Sequence, residues 1–135
     1  MVRLALATAA WVWWAALAAA PQGAGWRLPP EAADEISPLT VTAETLAEGR
    51  RLFREHCIRC HGPRGLGDGS DADPKYRRTM NLTDGARAAR NPDGIVFHKI
   101  WSGRERPKMP AHKDTLTKEQ VWTLVAFVQS LREKS

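Results

Sequence analysis

Two cysteines and a histidine stand together at Cys57-Ile58-Arg59-Cys60-His61. A C-x-x-C-H run reads as an attachment site for c-type haem. The two thiols add across the haem vinyl groups and become thioethers, and the adjacent imidazole lies under the iron as its proximal ligand. One helical turn carries all three side chains to the same haem face, so adjacency in sequence is what the chemistry needs. Other uses of the pair fit less well. A thioredoxin-like dithiol wants a βαβ pattern, which is missing here. A closed zinc site needs four ligands; the chain has 2 Cys, and His56, His61, His98 and His112 are not spaced as in a zinc finger. A plain Cys57–Cys60 disulfide would suit an exported chain.

An iron held by His61 alone would have an open position on its other face. Met80, Met109, His98 and His112 are the candidates to fill it. Met109 is favoured. It lies in Lys108-Met109-Pro110, with Pro107 just upstream. The two prolines stiffen the loop and keep it from becoming helix. A stiff loop holds a thioether in place with little loss of entropy on binding, and His/Met ligation raises the reduction potential. The competing use of Met109 is as a gap-filler in the core.

Helices must position these groups. Thr42 is a good N-cap with Glu44 in the first turn, and Leu46, Gly49, Phe53 and Cys57 follow at helical spacing. This helix would deliver the cysteines at its end. Gly49 costs about 1 kcal/mol relative to alanine inside a helix, which a close helix crossing would explain. Residues 62–69 form a glycine-rich turn that lacks the G-K-[ST] of a phosphate loop. The stretch up to Asn81 reads as polar loop, and Asn81-Leu82-Thr83-Asp84 as the cap of a short turn. Another helix would start at Asn91 or Asp93, run through Ile95, Val96, Lys99 and Ile100, and end at Ser102-Gly103. For the last helix, Thr117 and Gln120 form a capping box. Val121, Leu124, Val125, Val128 and Leu131 make its apolar stripe. No segment alternates as a strand does. The chain reads as all-α.

The N-terminal part differs in composition. Arg3 is followed by Leu4 to Ala20, in which Thr8 is the one polar residue. A positive start, an apolar run and small residues at its end make an export signal. Residues 1–24 are either a cleaved signal or a retained membrane anchor through 4–20. Residues 25–41 form a Pro-rich linker arm, and 42–135 form the domain. Both fates of the N-terminus place the domain outside the cytoplasmic membrane, so a periplasmic location is expected, soluble or tethered. The chain of 135 residues has a formal net charge of +5. A basic surface steers toward acidic partners, and the scattering of its cations among acids argues against nucleic acid.

The domain resembles the class I c-type cytochromes, small monohaem carriers of bacteria. The likeness covers roughly residues 42–133. It rests on Gly49…Phe53…Cys57-x-x-Cys60-His61, on Ile100-Trp101-Ser102-Gly103 followed by Met109-Pro110, and on Leu124-Val125-Ala126-Phe127-Val128. Thr79-Met80 departs from the pattern and leaves open a distal role for Met80. The resemblance implies a cytochrome c fold of three to five helices around one covalently attached haem c. It implies that the first and last helices cross, with Gly49 and Phe53 against Leu124 and Phe127. It also implies axial iron ligation by His61 and Met109, and a bond from the Trp101 indole to a haem propionate. The expected function is single-electron transfer between redox proteins with acidic docking surfaces, without a small-molecule substrate. A ring of Arg59, Arg64, Lys75, Arg77, Arg78, Arg104, Arg106, Lys108 and Lys113 around the haem edge would serve that docking. Alternatives are a subunit of a larger, membrane-bound oxidoreductase, or a peroxidase-like haem enzyme with an open iron site.

Overall fold

A computed structural model describes residues 25–88 and 90–132. Helix α1 spans Ala43–His56, α2 Ile58–His61, α3 Arg77–Met80, α4 Gly85–Ala88, α5 Asp93–Ser102 and α6 Lys118–Arg132. Short 3-10 turns occupy Pro30–Ala33 and Pro74–Tyr76. The described residues contain no strand, only isolated bridges at Leu66–Asn81 and Arg104–Met109. Of the six helices among the described residues, α2, α3 and α4 are single turns of 4 residues, and the all-α fold rests on the three longer ones.

The long helices start where their caps dictate. The Thr45 amide donates to Thr42 Oγ1 at 3.2 Å and opens α1. The Thr117 amide donates to Gln120 Oε1 at 2.9 Å and the Gln120 amide to Thr117 Oγ1 at 3.2 Å, the reciprocal capping box of α6. Helix α5 starts at Asp93, after Pro92. The Asp73-Pro74 pair nucleates the 3-10 turn in the stretch expected to be plain loop: Asp73 Oδ1 accepts from the Lys75 amide at 2.9 Å.

The core is one cluster built from α1, α5 and α6. Leu52, Phe53, Val121, Leu124 and Val125 are each at most 1% exposed. Helices α1 and α6 meet at Gly49. A Cβ there would lie 2.6 Å from the Thr123 carbonyl oxygen and 2.7 Å from Phe127 Cβ. Only a residue without a side chain lets the two backbones come this close. Phe53 packs on Phe127 with ring centroids 5.3 Å apart. Across the core, Phe97 stacks on Trp122 at 4.3 Å. The result is that the C-terminal end of α1, which carries the cysteine motif, is fixed against α6, in which residues 121–128 are all buried.

The segment from residue 25 to 41, expected as a linker arm, lies against α5. Ala32 is 1% exposed, and Trp26 packs on the domain under Lys99 and Arg104. The expected export segment, residues 1–24, lies outside the described residues. Among the described residues no helix is long and apolar enough to cross a membrane.

Candidate haem site

Helix α1 ends at His56, Cys57 turns, and α2 carries Cys60 and His61 in a single turn. The amide of His61 donates to the Cys57 carbonyl at 2.9 Å, which winds the three motif side chains into one helical turn. Both cysteines are free thiols. Burial, and then the neighbouring Cys60, push the Cys57 thiol up to about 12. A thiol so inert at neutral pH is the opposite of a redox dithiol, whose nucleophile is acidified.

The loop after the motif sets the histidine. The Gly67 amide donates to the His61 carbonyl at 2.8 Å, and the Leu82 amide donates to the Gly65 carbonyl at 2.7 Å. With the Leu66–Asn81 bridge, these bonds bring residues 80–82 beside the haem-motif turn. His61 Nδ1 then donates to the Met80 carbonyl at 2.7 Å. That bond fixes the tautomer: Nδ1 carries the proton, and Nε2 is left with a free lone pair on the opposite side of the ring. Burial holds the imidazole below its ordinary pKa. The Met80 bond opposes this, and the Arg87 and Arg104 charges add to it. His61 is thus neutral at neutral pH, the form that ligates a metal. A carbonyl on the far ring nitrogen is also how a metal-bound histidine is normally oriented and made more basic.

The same bond decides the place of Met80. Its peptide lies behind the imidazole, on the side turned away from Nε2. The Met80 carbonyl therefore stands on the Nδ1 side of the ring. Sequence reasoning could not have found this contact, because a carbonyl acceptor has no residue-type signature.

The Met109 loop is tied to the end of α5. Gly103 closes the helix at φ 61° and ψ −166°, a positive φ that favours glycine. A Cβ at Gly103 would meet the Met109 carbonyl oxygen at 2.4 Å. The Met109 amide donates to the Arg104 carbonyl and the Arg104 amide to the Met109 carbonyl, both at 2.9 Å. The amides of His112 and Lys113 donate to the carbonyls of Ile100 and Trp101 at 3.1 and 3.2 Å. Met109, Trp101 and Cys57 are all partly buried and pack on the same apolar cluster. Trp101 stacks on Phe97 at 5.8 Å, with the Lys118 ammonium 6.0 Å from its ring. Of the other two candidates, His98 Nε2 lies 3.1 Å from the Glu35 carboxylate, and His112 is edge-on to His56 at 5.6 Å.

A family model described as cytochrome c matches residues 46–132. The chain belongs to the cytochrome c family. A comparison with curated proteins finds no match. Membership implies a covalently bound haem c with its iron and electron transport. The residues of this cytochrome c fit that group: two free thiols, a neutral imidazole with Nε2 available, and apolar walls from the core cluster beside Cys57. When bound, the haem supplies one-electron iron chemistry. The protein contributes the tethers, the oriented ligand and the apolar surroundings.

Proposed function

We propose that this chain is a monohaem electron carrier that passes single electrons between redox proteins outside the cytoplasmic membrane. Cys57 and Cys60 tether the haem, and His61 and Met109 ligate its iron. The observation that carries the reading is the Met80 carbonyl on His61 Nδ1 at 2.7 Å, which holds an imidazole ready to ligate within a C-x-x-C-H turn. Met109 is supported by its place in a loop pinned at both ends to α5. With both axial positions filled by protein, no site remains for a substrate, so the role is carriage rather than catalysis. Trp101, at the end of α5, is the proposed indole partner of a haem propionate. Export follows from the apolar run at residues 4–20, and an acidic docking partner from the excess of surface cations.

The test is a recombinant chain matured with haem-attachment machinery. The reduced protein should show a low-spin spectrum and fail to bind carbon monoxide, and Met109→Ala should gain carbon monoxide binding. Carbon monoxide binding by the parent protein would instead support the open-iron enzyme. Electron-transfer rates with an acidic partner protein should fall as salt rises. Rates that ignore salt would refute the docking claim.

A further inference from the structure

We propose that Trp26, in the arm upstream of the region matched by the family model, is a positioning residue for the Met109 loop. Its functional consequence rests on the reading of Met109 as distal ligand. The Trp26 ring carries the Arg104 guanidinium at 4.4 Å and the Lys99 ammonium at 5.2 Å. Arg104 in turn is the residue whose backbone exchanges both hydrogen bonds with Met109, and its Nε donates to the Pro107 carbonyl at 2.8 Å. The preceding residue, Gly25, lies against the same loop: a Cβ there would be 2.7 Å from the Arg106 carbonyl oxygen. The arm therefore touches the loop at Arg104 and Arg106, on the segment leading into Met109.

The charges explain why an indole stands there. Among the described residues no carboxylate pairs with Lys99 or Arg104; Lys99 donates to Asn91 Oδ1 and Arg104 to a carbonyl. Burial, followed by Arg87, Arg104 and Arg132, pulls the Lys99 ammonium down to about 8, a sign of how crowded these cations are. The negative face of an aromatic ring attracts both cations at once. It offsets their repulsion and brings in no formal charge. The arm itself is anchored further along α5. Ala32 is buried beside Gly94, where a Cβ would meet the Ala32 carbonyl oxygen at 2.1 Å, and Glu35 reaches His98 at 3.1 Å. Trp26 is thus one end of a strap whose other end is fixed.

The experiment uses the full haem-loaded chain, its Trp26→Ala and Trp26→Phe variants, and Met109→Leu. Two quantities are read. One is amide hydrogen exchange at Arg104 and Met109, and the other is the affinity of the ferric protein for added imidazole. In Trp26→Ala both amides should exchange about three- to tenfold faster, the size of one or two partly desolvated cation–π contacts. Amides of α1 and α6 should be unaffected. Imidazole should bind more tightly by a similar factor, because a loosened loop yields the iron more readily. Trp26→Phe should restore most of both effects. Unchanged exchange at Arg104 and Met109, or acceleration spread equally over α1 and α6, would overturn the proposal. If Met109→Leu leaves imidazole affinity at the parent value, the ligand assignment fails, and the exchange data still decide whether Trp26 braces the loop.

Discussion

Substituting alanine at Gly49 sets two effects of similar size against each other. Alanine favours the helical backbone by about 1 kcal/mol over glycine, so α1 taken alone would be strengthened. The added methyl, however, would sit 2.6 Å from the Thr123 carbonyl oxygen and 2.7 Å from Phe127 Cβ. These distances fall about 0.8 Å short of the 3.4 Å at which ordinary contact begins. Neither obstacle is the free end of a flexible side chain, so α1 and α6 must move apart. Overpacking of this kind costs about 1–3 kcal/mol. The clash should win, leaving Gly49→Ala less stable by up to about 2 kcal/mol, which at roughly 4–8 °C per kcal/mol lowers the melting temperature by up to about 15 °C. Gly85 is the internal control. Nothing lies within 4 Å of a Cβ built there, and Gly85 opens the short helix α4. Gly85→Ala should be neutral or stabilising by up to about 1 kcal/mol. Thermal unfolding of both variants, followed by circular dichroism, reads the two signs side by side. A Gly49→Ala protein that melts at or above the parent temperature would refute the packing argument for the α1–α6 crossing. Because α1 leads directly into Cys57, the same variant should also perturb the haem absorption spectrum.

Three further outcomes follow from the same contacts. Phe53→Ala empties a site that is 1% exposed and packed on Phe127 and, at 6.5 Å, on His61; urea unfolding should show a loss of about 3–5 kcal/mol. Thr117→Ala removes the capping hydroxyl of α6 and should cost about 0.5–2 kcal/mol in the same assay. His112 is held below its ordinary pKa by burial and then by His56, so the native state binds fewer protons than the unfolded chain in the histidine range. Its contribution to stability is full above about pH 6.5 and falls as the pH drops toward and through the depressed native value. Unfolding free energies measured between about pH 7.5 and 5 should decline less steeply in His112→Gln than in the parent.

The parts of the fold that were legible in the sequence are those written in local chemistry. Thr42, and Thr117 with Gln120, announce helix starts through side chains that bond their own backbone, and they do so in the structure. Gly49 was legible as a crossing point because a glycine in a helix needs a reason. Asp73-Pro74 is a turn signal of the same local kind, an aspartate whose carboxylate accepts from the Lys75 amide. What was not legible depends on atoms shared by every residue or on distant partners. The Met80 carbonyl that orients His61 is one case, since any residue could supply it. The docking of the arm is another: Ala32 and Gly94 are small residues far apart in sequence, and nothing in either announces that they meet. The gathering of Lys99 and Arg104 on one tryptophan likewise arises only after folding.

The claim on which the rest depends is that haem is bonded to the chain through Cys57 and Cys60. Its most direct test is to mature the chain with haem-attachment machinery, treat it with acidic organic solvent, digest it and weigh the peptides. The haem should remain with the peptide that contains residues 57–61, and substituting either cysteine should leave a single thioether. Haem that washes into the solvent, or a peptide of unmodified mass, would contradict the account.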